Sequence, residues 1–219
     1  MSKQKPSNKI HIVLGLGSSG ISAAKLLKSE DKNVLVLEND SNEKLIDISE
    51  KLKSEGIKVI LLGTPLNISN FKPWEGRISS IIVSPGIDWE NITLKELRSK
   101  NIYMQGEVEL AWERLSHIKS IGITGTNGKT TVTNMLNHIL KLNSLNTDMG
   151  GNVGKALSTI ALESKQKNYQ KLNWLILELS SYQIEGSQKL NPTIGIWTTF
   201  TPDHLERHHN IENYFKIKR

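Results

Sequence analysis

The stretch "IKSIGITGTNGKTTVTNMLNHILKLN" over 118–143 confines this chain to a narrow set of folds. A β-branched apolar run, "IKSIGITG" (118–125), ends in glycine and passes into a segment whose apolar residues recur at helical period. Gly125 and Gly128 allow the backbone to bend so that consecutive N–H groups face one anion, and the helix N-terminus adds its positive dipole end. A strand leading through such a turn into a helix is the setting of a phosphate loop. Gly125, Thr126, Asn127, Gly128, Lys129, Thr130 and Thr131 would form an ATP site. In it Lys129 would reach the β- and γ-phosphates and the Thr130 hydroxyl would ligate Mg²⁺. The strict pattern asks for glycine at position 123, where this chain has Ile123. The competing reading is a glycine-rich turn that happens to precede Lys-Thr.

The same alternation fills the rest of the chain. "HIVLGLG" (11–17), "NVLVLEN" (33–39), "KVILLG" (58–63) and "SSIIVSPG" (79–86) read as buried strands ending in turn residues. "SGISAAKLLKSE" between the first two places Ile21, Ala24 and Leu27 on one helical face. In the second set, the helix over 129–143 is expected to turn Val132, Met135, Leu136, Ile139 and Leu140 inward. "NWLILELS" (173–180) and "TIGIWTTF" (193–200) are expected as further buried strands, and "QGEVELAWERLSH" (105–117) as a bridging helix. The fold class is α/β. A Rossmann-like parallel-sheet domain over 1–107 precedes an incomplete P-loop ATPase-type α/β domain over 108–219.

The first domain opens on "GLGSSG", whose Gly15, Gly17 and Gly20 match the dinucleotide fingerprint, with Glu38 following the second strand. A nicotinamide-dependent oxidoreductase is therefore one reading, and it leaves the loop at 125–131 unexplained. A non-catalytic nucleotide-binding module is another. In the second domain, Glu178 ends the strand "WLILELSS", where an acid can hold Mg²⁺ directly or through water. A buried-strand glutamate with no cation nearby would be costly. His204 follows the next strand at the same sheet edge, after Asp203.

Composition removes several other classes. The 219 residues are 37% hydrophobic and 23% charged, as in an ordinary globular protein. No apolar run is long enough to cross a bilayer, and "MSKQKPSNK" has no apolar stretch behind it, so no membrane insertion and no secretory signal are expected. The absence of cysteine excludes disulfides and thiolate chemistry and is compatible with the cytoplasm, the expected location. The net charge of +6 comes from 23 lysines and only 5 arginines, scattered among acids, with aromatics at 5%. Nucleic acid is therefore not an expected partner. The densest run, "ESKQKNYQKLNW" near residue 170, reads as a solvated loop.

Together "GLGSSG", "VSPGI" (83–87), "GEVEL" (106–110), "GTNGKTT" (125–131), "GGNVG" (150–154), "LELSSYQ" (177–183) and "TPDHLERH" (201–208) resemble the Mur ligase family over essentially the whole chain. "GTNGKTT" is shared with the wider family, including folylpolyglutamate synthases; "GLGSSG", "SPGI" and "LELSSYQ" are similar to the D-glutamate-adding branch. The resemblance implies an ATP- and Mg²⁺-dependent peptide ligase of peptidoglycan synthesis that acts on UDP-N-acetylmuramoyl-L-alanine and D-glutamate through an acyl phosphate. Another Mur ligase or a folylpolyglutamate synthase-like enzyme is the alternative within that class.

The resemblance further implies that Ser18 and Ser19 hold the pyrophosphate of the uridine substrate. Glu38 or Asn39 would meet uridine or ribose, and Ser84 and Gly86 would close over the same ligand. A tight turn after Pro85 equally explains Gly86. Asn152 would contact the acyl end of the substrate, or is a turn asparagine; Ser180 and Ser181 would line that site, or are helix caps. Lys129, His204 and Lys218 would be catalytic, with Thr130, Glu178, His204 and Lys218 around metal. Lys218 aligns with a lysine the family carbamylates, although its own neighbourhood reads as surface. Thr198 and Thr199 stand where Leu-Asn is usual and Glu206 where Asp is usual, departures that bear on substrate positioning. A third domain found in the family has no counterpart before Arg219, so the 219 residues are expected to be a fragment, monomeric, with little ligase activity alone.

Overall fold

The computed structural model describes residues 8–166 and 170–219. Part of the lysine-rich run near residue 170, at 167–169, and the leader up to residue 7 lie outside the described residues. The chain divides into two compact units between Gln105 and Gly106.

In the first unit the elements are β1 (Ile10–Leu14), α1 (Ser18–Ser29), β2 (Val34–Glu38), α2 (Glu43–Ser54), β3 (Lys58–Leu61), a 3-10 turn at Ile68–Trp74, β4 (Ile78–Val83), α3 (Ile92–Ser99) and β5 (Met104–Gly106), the last ending at the boundary. The sheet order is β3-β2-β1-β4-β5, with β1 parallel to both β2 and β4. Ile12, Leu14, Leu35, Leu37, Ile81 and Val83 fill its core with Phe71, Leu94 and Leu97. Because the chain leaves β1 toward β2 on one side while β4 lies on the other, a crevice opens at their carboxyl ends, the switch point of such sheets. "GLGSSG" turns there. Gly15 has φ +96°, and a Cβ on Gly20 would stand 2.0 Å from the Gly15 carbonyl oxygen, which is how α1 packs so close to the turn. Ala24 and Leu27 are buried as the helical period predicts, whereas Ile21 is half-buried.

The second unit runs α4 (Glu107–Leu115), β6 (Ser120–Thr124), α5 (Lys129–Leu142), β7 (Thr147–Gly151), α6 (Leu157–Glu163), β8 (Trp174–Glu178), α7 (Ser181–Glu185), β9 (Ile194–Trp197), α8 (Leu205–His208) and α9 (Ile211–Lys218). Its strands pair in parallel, in the order β7-β8-β6-β9. The acids of "GEVEL" are buried and accept backbone N–H groups: Glu107 from Ser158 at 2.5 Å and Glu109 from Lys189 at 2.8 Å.

The structure overturns two expectations. The strand at 193–200 is not buried: β9 is an edge strand, with Ile194 44% and Trp197 37% exposed. Helix α5 does not turn all five apolar positions inward. Val132, Leu136 and Leu140 pack on Ile121, Ile123 and Ile176, but Met135 and Ile139 are 57% and 47% exposed. The stripe at that period is wider than the strip of sheet it covers. Among the described residues no helix is long and apolar enough to cross a membrane.

Gly20→Ala is expected to destabilise the first unit by about 3 kcal/mol, since overpacking meets backbone rather than a movable side chain. Met135→Gln is expected to change stability by less than about 0.5 kcal/mol. Urea unfolding followed by circular dichroism separates the two.

Candidate functional site

In the first unit, Ser18, Ser19, Glu38, Asn39, Ser84 and Gly86 all line one cavity of about 400 Å³ at the carboxyl ends of β1 and β4. The structure therefore places these six residues around one cavity. Their hydrogen bonds refine one of them. Glu38 Oε2 accepts the Leu16 N–H at 2.6 Å and Oε1 the Asp40 N–H at 3.1 Å, so its carboxylate braces the glycine turn from the neighbouring strand. A Cβ at Gly15 would meet Ser84 Oγ at 2.7 Å, whereas one at Gly17 would meet nothing within 4 Å. The second glycine thus leaves its backbone open to a ligand at the start of α1.

In the second unit the loop between β6 and α5 carries Gly125 at φ +145° and Gly128 at φ +83°, both in conformations that favour glycine. Lys129 curls back over the loop and donates to the carbonyls of Gly125 (2.8 Å) and Thr126 (2.9 Å). Lys218 arrives from α9 and donates to the same Gly125 carbonyl at 3.1 Å and to Thr124 Oγ1 at 3.2 Å. It is 7% exposed, not a surface lysine. Burial, and after it the Lys129 ammonium, push its amine down to about 8, against the opposing pull of Asp203.

Glu178 ends β8 beside Ile123 of β6 and is 1% exposed. Asn152 Nδ2 donates to its Oε1 at 2.8 Å, and the Asn152 N–H donates to its carbonyl at 2.8 Å. Glu178 Oε2 is buried with no hydrogen-bond partner among the described residues, which leaves one acceptor open. Asn152 is therefore engaged with Glu178 as well as partly open to solvent. Ser180 caps α7 in a capping box with Gln183, and Ser181 Oγ pairs with His208 Nε2 at 2.9 Å. Burial lowers the His208 pKa, with Arg207 the next cause.

His204 stands apart from this buried set: 44% of its side chain is exposed, its backbone is left-handed at φ +52°, and its ring lies 5.0 Å from Tyr182. Thr130 and Thr131 are exposed on the first turn of α5. Among the described residues no three His, Asp or Glu side chains converge as a metal cluster. The groups that could meet a cation are the free oxygen of Glu178 and the Thr130 hydroxyl, while Lys218 as an ammonium would repel one.

Sequence reasoning missed how the segment after β9 grips the loop. In the sequence Thr198 and Thr199 are only departures from a pattern; in the fold they hydrogen-bond Asn127, and Tyr214 OH lies 3.2 Å from Thr126 Oγ1. No local signal pairs residues so far apart along the chain.

Comparison with known proteins gives two family matches. Residues 9–106 match the Mur ligase MurD-like N-terminal domain and residues 123–219 the Mur ligase middle domain. A UDP-N-acetylmuramoylalanine--D-glutamate ligase of Prochlorococcus marinus (strain NATL2A) is 76% identical over 219 residues, covering 100% of this chain and 47% of that protein. One so named from Prochlorococcus marinus (strain MIT 9313) is 49% identical over 95% of the chain and 45% of its own length. The chain spans about half the length of the curated relatives it matches. Among solved structures, the UDP-N-acetylmuramate-alanine ligase of Thermotoga maritima aligns with TM-score 0.52 at 23% identity, over 95% of this chain and 45% of that one. The UDP-N-acetylmuramate:L-alanyl-gamma-D-glutamyl-meso-diaminopimelate ligase of Neisseria meningitides aligns with TM-score 0.57 at 15% identity, over 96% and 67%. At those identities the two structures support the fold alone.

A lysine whose folded pKa lies near 8 carries its charge below that pH at the expense of the folded state. Stability should therefore rise with pH from about 8 toward the ordinary lysine value. Lysine-labelled ¹³C NMR should show one side-chain signal titrating near 8 and missing from Lys218→Met. A spectrum in which every lysine titrates at its ordinary value would contradict the burial of this amine.

Proposed function

The chain belongs to the Mur ligase family, and from that premise we propose that it forms the UDP-substrate and ATP-binding portions of a cytoplasmic ligase that adds D-glutamate to UDP-N-acetylmuramoyl-L-alanine. The observation that carries this reading is the loop from β6 to α5, with Lys129 folded over it and Glu178 holding one free carboxylate oxygen beside it. The high identity of the curated relatives supports the choice of D-glutamate as the added amino acid.

The chemistry follows from the substrates. A carboxylate is a poor electrophile, so an oxygen of the alanyl carboxylate first takes the γ-phosphoryl group of ATP, and the bond to ADP breaks. The amine of D-glutamate then attacks the carbonyl carbon of the acyl phosphate. The tetrahedral intermediate collapses with cleavage of the carbon–oxygen bond to phosphate, giving amide, phosphate and a proton. Lys129 leaves its two loop carbonyls to neutralise charge on the transferring phosphoryl oxygens. Mg²⁺, when bound, would supply further neutralisation of those oxygens, held by Glu178 and Thr130 and by Lys218 once carbamylated, with His204 outside that set.

Carbamylation needs a neutral amine: the nitrogen attacks CO₂, a C–N bond forms and a proton leaves. With a pKa of about 8, roughly a tenth of Lys218 is neutral at pH 7, against less than about one in a thousand for an ordinary lysine. In the first unit, the pyrophosphate would rest on the α1 N-terminus with Ser18 and Ser19, under Ser84 and Gly86. Asn39 is the better candidate for uridine or ribose, because both Glu38 oxygens already accept backbone N–H groups.

Lys129→Ala is expected to weaken ATP binding by about 10- to 100-fold, the worth of a charge-assisted phosphate contact, with binding of UDP-N-acetylmuramoyl-L-alanine within about twofold. Calorimetric titration of the 219-residue chain reads both. Unchanged ATP affinity would overturn the phosphate-loop assignment. NADH binding without uridine-ligand binding would restore the oxidoreductase reading.

A further inference from the structure

Thr198 and Thr199 lie against the first half of the phosphate loop. Thr199 Oγ1 accepts the Asn127 N–H at 2.8 Å and sits 3.1 Å from the Asn127 carbonyl, to which it can donate. Thr198 Oγ1 donates to that carbonyl at 2.5 Å and lies 3.2 Å from the carbonyl of Thr124. The backbone joins in: the Thr198 N–H donates to the Thr124 carbonyl and the Thr126 N–H to the Thr199 carbonyl, each at 2.9 Å. A Cβ at Gly125 would fall 2.1 Å from Thr198 Oγ1, so only glycine lets the loop lie this close.

The consequence concerns which donors remain for an anion. The N–H groups of Thr126 and Asn127 both point at residue 199 and are satisfied there. The first-turn N–H groups of α5 have no acceptor within their helix. We propose that Thr199, supported by Thr198, is a positioning residue that pins the phosphate loop at Asn127, so that the nucleotide phosphates are taken by the α5 N-terminus and Lys129 rather than by the first half of the loop. The pin also lowers the ordering cost of binding, because a loop already fixed loses less freedom when the phosphates arrive. Asn127 is itself exposed, so without these bonds little else in its surroundings would hold it.

This inference rests on the ATP reading, and its test separates the two. Thr199→Val keeps the branched shape and removes both hydroxyl bonds; Thr199→Ser keeps the hydroxyl. In the nucleotide-free 219-residue chain, exchange of the Asn127 amide measured by NMR should quicken about tenfold or more in Thr199→Val. ATP affinity, measured by calorimetry, should fall about fivefold to tenfold while affinity for UDP-N-acetylmuramoyl-L-alanine holds. Thr199→Ser should return both quantities to within about twofold of the parent, which a loss through general unfolding would not do. A Thr199→Val chain that binds ATP as the parent does overturns the positioning role, whatever its amide exchange. A parent chain that binds no ATP overturns the nucleotide reading itself, and with it this inference, whereas the amide exchange still reports whether the pin exists.

Discussion

Two ammonium groups share one carbonyl oxygen at the centre of the second unit: Lys129 and Lys218 both donate to Gly125. Their shared acceptor concentrates positive charge at the loop. It exists because β6 delivers the chain to a glycine in a conformation other residues rarely adopt, because α5 begins at Lys129 itself, and because α9 folds back to bury Lys218. Burial penalises the charged amine, and the like charge beside it adds to that penalty, so the Lys218 amine drops to about 8. An incoming polyanion relieves the repulsion, and so does loss of the Lys218 proton. On the proposed function, binding of phosphate and modification of the amine would be two answers to one electrostatic problem.

The two units solve the loop problem in the same physical way. In each, a parallel sheet brings a glycine turn to a helix N-terminus, and an acceptor from elsewhere on the carboxyl edge takes up a loop N–H. Glu38 does so for Leu16 in the first unit, and Thr199 for Asn127 in the second. The acceptors differ in kind. A carboxylate beside the first turn repels a diphosphate placed too near β2, whereas neutral hydroxyls beside the second leave its positive field undiminished.

Much of this is legible in the sequence itself, for identifiable reasons. The apolar runs at 12–14, 34–37 and 175–177 suit interior strands, and the glycines and polar residues after them suit turns. What local sequence does not carry is position within a sheet. β9 has the same apolar character as β6, yet it is exposed because the order β7-β8-β6-β9 makes it an edge. β7, with the sequence Thr-Asp-Met-Gly-Gly, has Thr147 as its one strand-favouring residue and is held by its pairing with β8. Lys218 lies among charged residues that read as solvated, and only the return of α9 onto the loop buries it. Glu38 and Thr199 are conspicuous in the sequence, but their acceptor roles emerge only from the folded geometry.

On this account one chain carries two sites for phosphorylated ligands, one at each glycine turn. Calorimetric titration of the 219-residue chain with UDP-N-acetylmuramoyl-L-alanine to saturation, followed by ATP, tests it directly. Two separate one-to-one binding events are expected, neither ligand displacing the other. Displacement of the uridine ligand by ATP, or a single shared site, would contradict the account.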